Sequence, residues 1–147
     1  MTERTLSLLV VDDDRDDQEL LAEALADAGF AHPVVFVDDG TELLDYLHRR
    51  DRFTDRDAYP DPSLILLDLQ MPRMEGMEAL AKLHDYENLW RIPVVVMTTS
   101  WSENDIARAY DLGVNAFLMK PVLYEELVEQ VRALVTFWFR HAELPSI

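Results

Sequence analysis

Short, largely apolar runs recur along the chain, and all five end abruptly in polar residues. Leu6–Val11 (LSLLVV) runs into Asp12-Asp13-Asp14, Leu64–Leu67 (LILL) into Asp68, Val94–Met97 into Thr98-Thr99-Ser100, and Ala116–Met119 into Lys120; Pro33–Val37 is the fifth run. Runs of four to six residues without alternation are what strands buried on both faces of a parallel sheet look like. Between them lie stretches of helical period. Asp14–Ala28 carries Leu20, Leu21, Ala24, Leu25 and Ala28, with Gly29 placed to stop it. Thr41–Arg50 puts Leu43, Leu44 and Leu47 on one face, and Met77–His84 also reads as a helix. Ser102-Glu-Asn-Asp105 resembles a capping box that opens a helix to Leu112, ahead of Gly113. Leu127, Val131, Leu134 and Trp138 form the stripe of the last helix. Five strands alternating with five helices imply an α/β fold, a doubly wound parallel sheet covered on both faces. Asp51–Pro62 (DRFTDRDAYPDP) is polar and without period, and reads as an exposed insertion.

Composition narrows the class. A length of 147 residues suits one domain, since chains of about 150 residues bury roughly 70% of their unfolded surface. We take 1–140 as that domain and 141–147 as a C-terminal tail, with no room for a second, output domain. No apolar run approaches a membrane span, and the N-terminus lacks the pattern of a signal peptide, so a cytoplasmic protein is expected. With no cysteine, thiolate chemistry and disulfides are excluded. A formal charge of −16 disfavours nucleic-acid binding and suits a cation or a basic partner surface.

In doubly wound sheets ligands bind beyond the carboxyl ends of the strands, where the winding reverses. Strands ending at one edge bring Asp12, Asp13, Asp68, Thr98 and Lys120 together from distant parts of the chain. Crowded carboxylates repel, and a divalent cation is the usual way to keep them ionised. Mg²⁺ fits best, because it is hard, prefers oxygen ligands and commonly bridges to phosphoryl groups. With an ammonium and a hydroxyl alongside, such a site holds the parts for phosphoryl transfer, and an Asp carboxylate can be the nucleophile. Taken singly, each residue has a plainer reading: Asp12–Asp14 as solvated acids capping a helix, Thr98 as a strand-end hydroxyl, Lys120 as a surface lysine. Asp14 is expected to be a helix cap. The four histidines, His32, His48, His84 and His141, lie outside any ligand spacing, and Met71, Met74 and Met77 read as loop and core fillers.

The segments LLVVDDD, LILLDLQMPRMEG, VVVMTTS and AFLMKP together resemble the response-regulator receiver domain of two-component signalling, over nearly the whole chain. The resemblance implies a flavodoxin-like receiver fold with strand order 2-1-3-4-5. It implies phosphoryl transfer from a sensor histidine kinase to Asp68, with Mg²⁺ held by Asp12, Asp13, Asp68 and the backbone carbonyl of Gln70. Thr98 and Lys120 would assist as the hydroxyl and the ammonium of the site, Thr98 and Phe117 would act as the switch pair, and the Lys120-Pro121 bond is commonly cis in the family. The protein would then be a phosphoacceptor switch rather than a metabolic enzyme, its chemistry limited to its own phosphorylation and dephosphorylation. A metal-dependent phosphatase would want a second acid at Gln70, and a phosphorylation-independent interaction scaffold is the alternative that remains open. The insertion, the TTSWSENDI segment and the lone-receiver organisation resemble a subgroup often paired with phytochrome-type kinases. Phe137, Trp138 and Phe139 occupy consecutive helical positions about 100° apart, so at least one should be exposed. Together with Tyr110 and Trp101 it would mark the face of the fourth helix, fifth strand and fifth helix as an output and homodimer surface.

Overall fold

The computed structural model describes residues 5–69, 76–99 and 101–145. Five strands, β1 (Leu8–Val11), β2 (Val34–Val37), β3 (Leu64–Leu67), β4 (Val94–Thr98) and β5 (Ala116–Met119), pair in parallel in the order β2-β1-β3-β4-β5. The winding reverses between β1 and β3, so a crevice opens beyond their carboxyl ends.

Alternate strand residues face opposite sides, and each side has its own core. Leu8, Val10, Leu64, Leu66, Val95 and Met97 meet Leu21, Ala24 and Leu25 of α1 (Arg15–Asp27) and Val131, Leu134 and Val135 of α6 (Tyr124–Thr136). Leu9, Val11, Ile65, Leu67, Val94 and Val96 meet the second layer, formed by α2 (Gly40–Leu47), α3 (Gly76–Leu83), α4 (Glu87–Trp90) and α5 (Glu103–Asp111). The expected caps are present. Asp14 accepts from the amides of Asp16 and Asp17, Ser102 and Asp105 close a reciprocal capping box, and Gly29 and Gly113 take φ of +82° and +94° just past their helices.

Three features differ from the sequence expectation. There are six α-helices among the described residues rather than five, because α4 is a single turn too short to show a period. It is held by Trp90, whose ring lies where a Cβ on Gly113 would stand, 2.2 Å from Cζ2. The last helix does not run on unchanged through its aromatic end: α6 gives way to a π-helical turn, Phe137–His141. A wider turn shifts the angular phase of the residues that follow. Trp138 and Phe139 pack on the α1 side of the sheet, Phe139 edge-on to Phe30 at 4.9 Å, while Phe137 remains 54% exposed.

The third concerns the insertion, which is anchored rather than simply exposed. Phe53, within a 3₁₀ turn at Asp51–Thr54, is 1% exposed and lies 5.0 Å from the rings of both Tyr46 and Tyr59. The Tyr46 hydroxyl donates to the Pro60 carbonyl at 2.7 Å, and burial pushes its phenol up to about 12. The Arg49 guanidinium donates to the carbonyls of Phe53 and Tyr59 and to the Asp61 carboxylate. One phenylalanine thus docks a polar loop. Phe53→Ala should cost about 3–5 kcal/mol of stability, as for other fully buried aromatics; urea denaturation against the parent measures it.

Candidate functional site

The carboxyl edge is built by extending the ladder one residue past each strand. The Asp12 amide donates to Val37 O (3.1 Å), the Asp68 amide to Val11 O (3.0 Å) and the Lys120 amide to Thr98 O (2.9 Å). These bonds place the residues on adjacent strands at one level. Asp12 is 3% exposed; its Oδ1 accepts from the Asp14 amide at 3.0 Å and its carbonyl from Gln18 Nε2 at 2.6 Å. Thr98, 1% exposed, donates its hydroxyl to Asp68 Oδ1 at 3.2 Å.

Lys120 joins the groups. Its ammonium donates to Asp12 Oδ2 (2.8 Å), Asp68 Oδ2 (3.2 Å) and Asp17 Oδ2 (3.3 Å). Burial works against its charge, but the hydrogen bond to Asp12 and the charges of Asp68, Asp12 and Asp17 outweigh it and hold its pKa above the ordinary lysine value. Burial, with a smaller push from Asp68, raises the Asp12 carboxyl above its ordinary value against the pull of Lys120 and of the Asp14 amide. The ammonium therefore stays protonated, while the most buried carboxylate carries the cost of desolvation.

Of the residues expected here, Asp12, Asp68, Thr98 and Lys120 come together. Asp13 is exposed and is not one of the three carboxylates, Asp12, Asp17 and Asp68, that lie together. Gln70, with Met71 and Met74, lies outside the described residues. Phe117 is half-buried and packs into the core of the α2–α5 side. No peptide bond among the described residues is cis, so the Lys120-Pro121 bond is trans. His32, His48 and His84 make ring contacts with Phe139, Tyr86 and Trp90 instead of converging.

Two contributors escaped the sequence reading. Asp17, in the first turn of α1, joins Asp12 and Asp68 in a group whose carboxylate oxygens lie within 4.8 Å of one another. Gln18 is 8% exposed, and its side chain ties the Asp12 carbonyl to Asp38 Oδ1 (3.2 Å). Gln18 was detectable as a polar residue on the apolar Leu21/Leu25 face, whereas Asp17 looks like any acid in a first turn. The hard oxygen donors of Asp12, Asp17 and Asp68 fit a small divalent cation.

Such an arrangement on a doubly wound parallel sheet defines a class of α/β domain with an acidic, cation-attracting centre at its switch point. Comparison with known proteins is specific: residues 8–132 match the response regulator receiver domain, and the chain belongs to that family. It is 34% identical over 139 residues to response regulator Rcp1 of Synechocystis sp., covering 95% of this chain and 92% of that one. The phosphorylated cyanobacterial phytochrome response regulator RcpA is 38% identical, with a TM-score of 0.88 over 97% of this chain and 100% of that one. Response regulator RPA3017, in red light signalling of R. palustris, is 38% identical, with a TM-score of 0.90 over 96% and 99%. The Mn²⁺-bound form of Rcp1 superposes with a TM-score of 0.84 at 34% identity, over 95% and 99%. The protein is thus a receiver of two-component signalling, a phosphoacceptor switch. No described helix is long and apolar enough to cross a membrane.

Asp68 is backed by the first residue of α3. The Gly76 amide donates to Leu69 O at 3.1 Å, and a Cβ on Gly76 would stand 2.9 Å from both Asp68 O and Leu69 Cα. Since those are backbone atoms, they yield only by moving Asp68. Gly76→Ala should cost roughly 1–3 kcal/mol, the range for overpacking, and should shift the Asp68 and Thr98 resonances in a two-dimensional NMR spectrum.

Proposed function

We propose that Asp68 is the phosphoryl acceptor, that a histidine kinase of the phytochrome type is the donor, and that Mg²⁺ is the working cation. The observation that carries the reading is the convergence on Asp68 of the Thr98 hydroxyl and the Lys120 ammonium at 3.2 Å each, at the switch point of the sheet. An Asp68 carboxylate oxygen would attack phosphorus, forming an acyl phosphate as the P–N bond to the donor imidazole breaks and the imidazole leaves. Lys120 and Thr98 then offer donors to the phosphoryl oxygens that replace the carboxylate charge they contact now. Bound Mg²⁺ would neutralise part of the phosphoryl charge. Asp12, Asp17 and Asp68 are the carboxylates placed to hold it, and Asp13 and the Gln70 carbonyl are the further ligands expected from the family pattern. The acyl phosphate is lost by hydrolysis, so the protein's chemistry would be limited to its own phosphorylation and dephosphorylation.

Purified kinase carrying labelled phosphohistidine should transfer the label to this chain in the presence of Mg²⁺, and hydroxylamine should remove it. Asp68→Asn should accept none. Mg²⁺ should also raise the melting temperature, the linkage being about 1.4 kcal/mol at roughly tenfold above its dissociation constant. A hydroxylamine-labile label persisting on Asp68→Asn would sink the assignment, and a parent that takes no label from any donor would favour a phosphorylation-independent scaffold.

The α5-β5-α6 face is proposed as the output and homodimer surface, α5 and α6 being the fourth and fifth helices of the sequence reading. Supporting it are Trp101, Tyr110, Met119 and Phe137, each 43–56% exposed on these elements or beside them, with the Trp101 indole N–H donating to the Met119 sulfur, since exposed apolar surface commonly marks interfaces. A two-fold dimer is the commonest closed assembly. Sedimentation at micromolar concentration should show a dimer that Phe137→Glu dissociates; a monomer with and without a phosphoryl mimic would end this proposal.

A further inference from the structure

An ammonium has three hydrogens to donate, and Lys120 distributes them over three carboxylates. A phosphoryl oxygen on Asp68 needs one of these donors, so the question is which partner yields. Asp12 is held at 2.8 Å, and its side chain is only 4% exposed, so losing the ammonium would leave a buried carboxylate short of a donor. The donor given to Asp68 stays with the acceptor, because the phosphoryl group replaces that carboxylate charge. Asp17 differs from both. Its contact is the longest of the three at 3.3 Å, and its side chain is 41% exposed, so water can take the place of Lys120. Its backbone is fixed in the first turn of α1 by the Asp14 cap, where the helix N-terminus favours a negative charge with or without Lys120. A recess of about 100 Å³, bounded by Asp12, Asp17, Thr99, Lys120, Leu20 and Leu127, gives the ammonium room to move.

We infer that Asp17 is a positioning residue for Lys120, holding the ammonium toward α1 while Asp68 is unphosphorylated and releasing it when phosphoryl oxygens arrive. The inference rests on Asp68 being the phosphoryl acceptor. Asp17 favours the unphosphorylated state, because its contact is made fully only there, and a contact unequal between two states biases their populations. Its carboxylate charge also opposes an incoming anion, an effect that does not pass through Lys120, and the experiment must separate the two.

Beryllofluoride, a phosphoryl mimic, can be titrated calorimetrically at saturating Mg²⁺ into the parent, Asp17→Asn, Asp17→Glu, Lys120→Ala and the double variant Asp17→Asn/Lys120→Ala. Asp17→Asn should bind the mimic about two- to fivefold more tightly, the scale of a part-exposed ion pair, and Asp17→Glu should return the parent value. In the Lys120→Ala background the Asp17→Asn change should be smaller by the part that passes through Lys120, whereas a purely structural or charge effect would be equal in both backgrounds. Equal tightening in both backgrounds, or weaker binding by Asp17→Asn at saturating Mg²⁺, overturns the inference. Failure of the underlying assignment looks different: the mimic then fails to bind the parent, or binds Asp68→Asn equally well.

Discussion

The Lys120 ammonium sits 2.8–3.3 Å from the carboxylates of Asp12, Asp68 and Asp17, whose oxygens lie within 4.8 Å of one another. Coulomb energy falls as the inverse of distance, so three attractions at 2.8–3.3 Å offset the repulsion among the carboxylates, and Asp12 can be buried as a result. The balance is incomplete among the described residues, where the Lys120 ammonium faces three carboxylates. What is left is a site with an electrostatic appetite for a cation and, once the cation is present, for an anionic group that Lys120 and Thr98 can receive. A fully neutralised centre would have neither. The raised pKa of Lys120 keeps the ammonium charged throughout the physiological range.

This centre depends in turn on the sheet. Asp12, Asp68 and Lys120 follow β1, β3 and β5, Thr98 closes β4, and the four positions are separated by up to 108 residues of chain. Only parallel pairing puts all their strand ends on one edge. The amide bonds to Val37, Val11 and Thr98 then hold each residue in register against its neighbour. Hydrophobic burial of both sheet faces therefore sets the distances at the site, with no local sequence element responsible for more than one of its members.

The same logic explains what could be read from the sequence. Strands buried on both faces leave uninterrupted apolar runs, and a functional residue at the end of such a run stands out as an abrupt change of polarity; Asp12, Asp68, Thr98 and Lys120 were all visible this way. Asp17 was not, because its role comes from a contact across 103 residues and its local pattern matches an ordinary helix start. Phe53 was hidden for a related reason. A single apolar residue in a polar stretch has no period, and its burial depends on Tyr46 and Tyr59 meeting it in three dimensions. The single turn α4 and the π-helical end of α6 likewise owe their form to tertiary contacts, Trp90 on Gly113 and Phe139 on Phe30 and His32. Extended elements with two-sided burial were legible, and those fixed by one distant partner were not.

The path from the site to the surface is short. Thr98 bonds Asp68 on one side and pairs with Met119 in the β4–β5 register on the other. Met119 is 56% exposed, and the Trp101 indole N–H donates to its sulfur at 3.0 Å. Trp101 follows closely on Thr98 in the chain, so displacement of that strand end acts on the Trp101–Met119 contact both through the backbone and across the sheet. Phe117, two residues before Met119 on β5 and so on the same face of the sheet, packs against the core of the α2–α5 layer. A shift of β4 toward a modified Asp68 would therefore reach an exposed apolar surface and a packed core side chain through the same strand, without involving α1 or α2. That arrangement separates the surface proposed for output from the α1 side, where Asp17 contacts Lys120.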